Sequence, residues 1–235
     1  MTIEDKPLEK RVFTLAQLKQ IVCEVEKDLS FTILEIGALP IEGQPEPFHH
    51  LLDVFPQSKI FAFEVDESLC ENLNQNSKPG IKYYPFALGR TEEERPFYEA
   101  NHEMCSSLYK PNEKLLSLYE SLEVSMLKSV RSVKTISLDH FIKENEIESV
   151  DFIKIDVQGA ELDVFQGGVH TLKNVVGIVS EVEFIPLYKE QPLFGDVCTF
   201  LMENEFMFHK FIGIEGRTLN SIVKNNNPHF FFQQM

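Results

Sequence analysis

The sequence predicts an α/β protein built on a doubly wound parallel sheet with helices on both faces. Three observations point there. Apolar strands alternate with helical segments from Thr32 to Phe86 in the order βαβαβ, the alternation that yields a parallel sheet. A further strand-to-helix unit, SVDFIKIDVQGAELDVFQGG, runs from Ser149 to Gly168. The predicted strands end on Gly37, Glu64 and Asp156, at the edge where open α/β sheets bind ligands.

Each element has its own justification. Leu15, Leu18, Val22, Val25 and Leu29 recur at helical spacing, so Thr14–Leu29 reads as an amphipathic helix. Thr14 suits its N-cap, and Gln17 completes a capping box. The helix offers a homo-oligomer contact or simply packs on the sheet. Thr32 to Gly37 is a strand, followed by a Pro- and Gly-rich loop; Pro47 opens a helix that Pro56 closes. Lys59 to Glu64 is the second strand, and Asp66 caps the next helix. Ile81 to Phe86 is the third strand, with Ala87-Leu88-Gly89 leaving it. From Arg90 to Ser132 the alternation breaks. Arg95 to Ala100 reads as a short strand, Asn101 to Tyr109 as a loop, and Pro111 opens a helical stretch to Leu122. Long insertions of this kind serve as lids or binding loops. Val133 to Leu138 is a strand, and Asp139 caps a helix reaching Asn145. After the Ser149–Gly168 unit, Val175 to Phe184 reads as a long strand and Gly195 to Asn204 as a helix. Phe206–Ile212 and His229–Phe232 read as two final strands. The chain reads as one domain over 1–235, with a helical extension over 1–30 and an insertion over 90–132.

Composition narrows the function. The 235 residues are 43% apolar, enough for a sizeable core. The net charge of −15 disfavours general nucleic-acid binding. Cys23, Cys70, Cys105 and Cys198 are scattered with no CxxC pair, which speaks against a zinc site or disulfide framework. The first residues carry no apolar signal region, and no run is long enough to span a bilayer. A cytoplasmic protein without membrane contact is expected.

The strand ends suggest a cofactor. Glycine at the first lets the backbone approach a ligand, and an acid at the second can accept bonds from both ribose hydroxyls. That pair points to an adenosine cofactor. Dinucleotides need a G-x-G-x-x-G phosphate cradle, whereas here Gly37-Ala38-Leu39-Pro40 runs on to Gly43. S-adenosylmethionine has no phosphate. It needs close approach and an acceptor for its ammonium, for which Glu35 or nearby carbonyls are available. His49-His50 do not form a metal pair, because adjacent helical residues diverge by about 100°; no metal is expected.

Several of these segments resemble the FkbM-type S-adenosylmethionine-dependent methyltransferases. DFIKIDVQGAELDVFQGG, at Asp151 to Gly168, is similar to that family's signature. Phe63-Glu64 with Asp66, Ala87-Leu88-Gly89, Thr135 to Asp139, and Glu181 with Glu183 resemble its other motifs in order, from about Thr32 to Phe208. The resemblance implies a class I, Rossmann-like methyltransferase fold of about seven strands with the last antiparallel. It also implies methyl transfer to a hydroxyl of a sugar, glycan or other small metabolite. Carried over, Glu64 with Val65 would hold the ribose, Gly37 would approach the methionine part, Ala87-Leu88 would border the adenine, and Asp156 would lie between cofactor and acceptor. Two departures stand out. The family's G-A-N-x-G loop is replaced by Gly37-Ala38-Leu39-Pro40-Ile41-Glu42-Gly43, and Gln158 stands where Glu is common.

A hydroxyl acceptor must lose a proton, and a positioned base contributes about 10²–10⁴-fold. Asp156 is the first candidate and His102 the second. Lys154 can pair with Asp156 or a neighbouring acid. Ser106, Ser107, Gln158, Glu181 and Glu183 are the acceptor-side candidates. Two other readings stay open: a non-catalytic binding subunit of the same fold, and an NAD-dependent reductase.

Overall fold

The computed structural model describes residues 15–22, 29–41, 46–220 and 231–234. Helix α1 (Leu15–Val22) precedes β1 (Thr32–Ile36). Thr14 and residues 23–28 of the predicted first helix lie outside the described residues, and so does the capping box on Thr14. A 3-10 turn from Pro47 to His50 leads into α2 (Leu51–Val54), followed by β2 (Lys59–Phe63), α3 (Glu67–Asn76), β3 (Ile81–Tyr84), β4 (Ala87–Gly89) and β5 (Glu93–Ala100). Then come α4 (Glu113–Leu116), β6 (Leu127–Ser137), α5 (Leu138–Glu144), β7 (Phe152–Ile155), α6 (Glu161–Gln166), α7 (Val169–Leu172), β8 (Gly177–Ser180), α8 (Phe194–Glu203), β9 (Glu215–Thr218) and β10 (Phe231–Gln234).

The central sheet is five-stranded in the order β3-β2-β1-β7-β8, and every pairing in it is parallel. The chain winds outward from β1 to β3, then returns to the other side of β1 as β7. The order therefore reverses between β1 and β7, the position at which such sheets bind ligands. Burial on both faces explains the near-continuous apolar strands: Ile33, Leu34, Ile36, Ile153 and Ile155 are all buried. On one face Phe141 of α5 meets Phe63 edge-on at 4.6 Å and Tyr84 at 4.9 Å. Phe165 and Val164 of α6 join the same core. No helix among the described residues is long and apolar enough to cross a membrane.

The structure departs from the sequence-based expectation in six places. Ala87–Gly89 is a strand of a second, three-stranded sheet, β4-β6-β5. The 90–132 segment is built on a β-ribbon, with β5 antiparallel to β6, and its only α-helix, among the described residues, is the single turn α4. β6 starts at Leu127, six residues before the predicted Val133; its first half is exposed and lacks the apolar alternation that announces a strand. β8 stops at Ser180, and the apolar residues beyond it enter other packing: Val182 joins the main core and Phe184 meets Phe194 at 5.1 Å. Phe206–Ile212 forms no strand. There Phe208 and Phe211 cluster with Phe194 at ring distances of 4.8 to 5.7 Å. The last two strands, β9 and β10, form a separate antiparallel pair, so the main sheet has five strands among the described residues, where about seven were expected.

Capping also differs. Ser137 caps α5 by accepting from the His140 amide at 3.3 Å. Asp139 instead reaches α7, accepting from the His170 and Thr171 amides and the Thr171 hydroxyl at 2.9, 2.8 and 2.7 Å. Between α6 and α7 the chain passes close to β4: a Cβ on Gly167 would lie 2.3 Å from the Gly89 carbonyl oxygen. Gly167→Ala is expected to force these backbones apart, destabilising the fold by about 1–3 kcal/mol and lowering the thermal midpoint. An unchanged midpoint would show that this approach is not tight.

Candidate active site

A cleft of about 960 Å³ opens at the carboxyl ends of β1, β2 and β7. Gly37, Glu64 and Asp156 each follow directly on their strands there, so parallel pairing brings the three side by side. Gly37 has φ +78°, and its amide and that of Ala38 both donate to the Phe63 carbonyl at 3.1 and 3.0 Å. A Cβ at Gly37 would sit 1.8 Å from the Asp156 carbonyl oxygen. Glycine is needed here on two counts, the left-handed backbone and the contact with β7.

The Glu64 carboxylate is folded over its own turn, accepting from the Val65 and Asp66 amides at 2.7 and 3.3 Å. Burial raises its pKa, and the two amide bonds oppose the rise. Asp66 caps α3 through the Leu69 amide at 2.8 Å, as the sequence suggested. Glu35 is buried, with His49 Nε2 2.8 Å from its carboxylate. His50 points elsewhere, to Asp53 at 3.3 Å. Ala87 and Leu88 are buried on β4 and line the cleft, while Val65 packs against the small core cluster that contains Ala87.

Around Asp156 lies a polar network. Gln158, held at φ +56°, donates its two amide hydrogens to Asp156 Oδ1 at 2.8 Å and Glu181 Oε2 at 2.5 Å. The Tyr188 hydroxyl lies 3.0 Å from Gln158 Oε1 and 2.8 Å from the Cys105 carbonyl oxygen. Lys154 Nζ stands 3.6 Å from Asp156 Oδ2 and 3.5 Å from Glu46 Oε1. Behind the turn, buried Glu161 accepts from the Val157 and Gly159 amides at 3.0 and 3.2 Å. Burial is the largest cause of a strong upward shift in three of these acids, and their mutual repulsion adds to it. Glu161 is pushed up to about 7, Glu183 to about 9 and Glu181 to about 10. Glu181 and Glu183 therefore hold their protons well above the ordinary carboxylate range.

The ribbon and its loop form the opposite wall. His102 and Ser106 line the cleft. His102 Nδ1 accepts from the Met104 amide at 3.3 Å, and Ser106 accepts from the Ala100 amide at 3.1 Å. Ser107 is buried outside the cleft lining: its hydroxyl donates to the Gln158 carbonyl at 2.7 Å and accepts from the Tyr109 amide at 2.9 Å, tying the loop to the Asp156 turn. Glu183 is buried away from the cleft lining, and Glu181 connects to it through Gln158. The structure thus gathers Glu35, Gly37, Glu64, Val65, Ala87, Leu88, His102, Ser106, Asp156 and Gln158 about one cleft. Sequence reasoning missed His49, Glu161, Tyr188, Lys128 and Arg131. His49 was weighed only as a metal partner of His50, and Glu161 only as a helix residue. No set of three or more His, Cys, Asp or Glu among the described residues is placed to hold a metal.

The raised acids tie stability to pH. A carboxyl whose folded pKa lies above its ordinary 4.5 holds its proton more tightly in the native state. Its contribution is complete below the unfolded value and is lost as pH rises through the folded one. The thermal midpoint is expected to fall as pH is raised from neutral to about 10, and Glu181→Gln, which cannot ionise, to flatten that fall. Equal slopes for the two proteins would show that Glu181 does not hold the proton.

The chain matches the Methyltransferase FkbM domain over residues 35–208. It is 27% identical over 221 residues to the 2-O-methyltransferase NoeI of Sinorhizobium fredii, covering 90% of this chain and 87% of that one. It is 26% identical over 129 residues to the hexuronic acid methyltransferase AglP of Haloferax volcanii, covering 54% of this chain and 48% of that one. No solved structure matches it. With the five-stranded parallel sheet and the cleft at its switch point, the match over most of the chain identifies this protein as a member of the FkbM methyltransferase family, an enzyme of methyl transfer.

Proposed function

We propose that the protein transfers a methyl group from S-adenosylmethionine to a hydroxyl oxygen of a sugar. The observation that carries this reading is the meeting of Gly37, Glu64 and Asp156 at one sheet edge. The residues there suit the donor. Glu64 has a carboxylate that can exchange its two local amides for two ribose hydroxyls. The turn at Gly37 brings bare backbone to the cleft, and Ala87, Leu88 and Val65 offer apolar surface for adenine. Glu35, bonded to His49 and lining the cleft, is an acid available to an ammonium group. The relatives' names, a 2-O-methyltransferase and a hexuronic acid methyltransferase, support a sugar acceptor.

Bound S-adenosylmethionine supplies a methyl group already activated by its sulfonium. What remains for the chain is to align an oxygen with that methyl, exclude water and remove a proton. Asp156 takes the hydroxyl proton. Gln158 fixes one of its oxygens, and Lys154 stands by the other. Burial and the neighbouring acids push Glu181 up, so it holds its proton more tightly than an ordinary carboxyl beside Asp156. His102 is the alternative base. Ser106 can donate its hydroxyl to the acceptor, Gln158 acts on it through Asp156, and the ribbon over 90–132 covers it.

Calorimetry with S-adenosylhomocysteine tests the donor. Binding is expected, and Glu64→Ala is expected to weaken it by about ten- to a hundredfold, from the loss of charge-assisted bonds. Absence of binding to the unaltered protein overturns the reading. For the base, Asp156→Asn is expected to lower kcat by about 10²–10⁴-fold, more than it weakens homocysteine-product binding. If His102→Ala produces that loss and Asp156→Asn does not, the base is His102.

A further inference from the structure

The two walls of the cleft differ in charge. The sheet-edge wall is acidic, with Glu35, Glu64, Asp66 and Asp156, and the whole chain carries −15. The ribbon wall presents two cations to the same space, Lys128 and Arg131.

Their presence on the same cleft wall is not what a regular strand gives. Along an uninterrupted strand, residues three apart point to opposite faces. Here Arg131 pairs with Phe97 and Ser129 with Glu99, but Leu127 pairs with Ala100, so Lys128 is an extra residue in the ladder. This bulge turns Lys128 to the cleft side, and bulges commonly re-aim side chains next to functional sites.

Arg131 is held in advance. Its Nε donates to Glu99 Oε1 at 2.9 Å, and the Ser129 hydroxyl holds the other oxygen of that carboxylate at 2.5 Å. Its guanidinium lies over the Phe97 ring at 5.0 Å. Among the described residues no hydrogen bond reaches its two terminal nitrogens, and Lys128 makes no ion pair within 4 Å, its charge acting on Glu99 from further off. The other lysines lining the cleft are already engaged, Lys154 between Glu46 and Asp156 and Lys78 with Asp53. An exposed ion pair such as Arg131–Glu99 adds little to stability, and the charge of Lys128 acting on the same exposed carboxylate adds little more. Glu103 is the acid on this wall not engaged by Arg131. The free edge of a guanidinium matches a carboxylate fork, and a neighbouring ammonium offsets the repulsion an anion meets from an acidic protein.

We propose that Lys128 and Arg131 form an anion subsite for the acceptor, so that the sugar methylated is an acidic one, carrying a carboxylate or a sulfate near the reacting hydroxyl. This rests on the methyltransferase reading of the same cleft.

The test uses the full chain with tritiated S-adenosylmethionine and a panel of uronic-acid oligosaccharides, sulfated oligosaccharides and the carboxyl-reduced neutral counterparts. Label is expected on acidic members and not on their neutral counterparts; the first two arms separate carboxylate from sulfate. The K128Q/R131Q double variant is expected to raise KM by about tenfold or more, with kcat nearly kept. Added salt should raise KM of the unaltered protein and not that of the variant. Lys134→Gln, on the same strand but outside the cleft, serves as the control and should leave KM unchanged. Equal use of neutral sugars, no labelling of any acidic sugar, or an unchanged KM in the double variant overturns the subsite. S-adenosylhomocysteine calorimetry on the same samples separates the two failures: product bound with neutral sugars preferred sinks the subsite alone, and no product bound sinks the methyl-donor reading with it.

Discussion

The carbonyl of Asp156 presses against Gly37, and the geometry of the cleft depends on that contact. No side chain fits between them, since a Cβ would lie 1.8 Å from the oxygen. The Asp156 amide, in turn, donates to Ile36 at 2.9 Å. The exits of β1 and β7 are thus locked at the point where the strand order reverses. From there Gly37 crosses to β2 through the Phe63 carbonyl and brings Glu64 alongside. One glycine sets the spacing of the acids on both flanking strands.

A second constraint is electrostatic. Asp156, Glu161, Glu181 and Glu183 occupy one small region beneath the cleft, and they cannot all be charged in so little water. Burial drives Glu181 and Glu183 upward, so they hold their protons more tightly; Asp156 is partly exposed, near Lys154, and faces the cleft. Gln158 mediates between the two kinds of carboxyl group. A glutamate there would add a fifth acid; glutamine offers two donors to its acidic neighbours and an acceptor toward Tyr188. Its left-handed backbone, with Gly159 also at positive φ, is the strained part of the turn. Ser107 ties that turn to the ribbon, so the wall opposite the sheet is coupled to the residue that orients Asp156.

Much of the site was legible because parallel sheets place successive strand exits on one edge. Gly37, Glu64 and Asp156 were found by asking which residue follows each buried strand, and the structure brings them together. Asp66 was recognisable as a cap for the same local reason. The errors share a cause as well. Phe206–Ile212 and Val175–Phe184 are apolar enough for strands, but ring packing and core contacts took those side chains where the chain was not paired. The first half of β6 was invisible because an exposed ribbon has no apolar alternation. Asp139 was assigned to its own helix, because its partners on α7 lie about thirty residues away. Ser107 and Glu183 were grouped with the acceptor side by position alone, and burial places both off the cleft lining.

The sequence by itself determined the α/β class, the family and the three strand exits, because these follow from local periodicity and from short contiguous motifs. Tertiary structure alone decided which carboxyl groups are buried together, which histidine supports Glu35, and that a bulge turns Lys128 to the cleft wall that carries Arg131. Those outcomes depend on distances between residues far apart in the chain and on how much water reaches them, and neither quantity is written in the order of residues along any one segment.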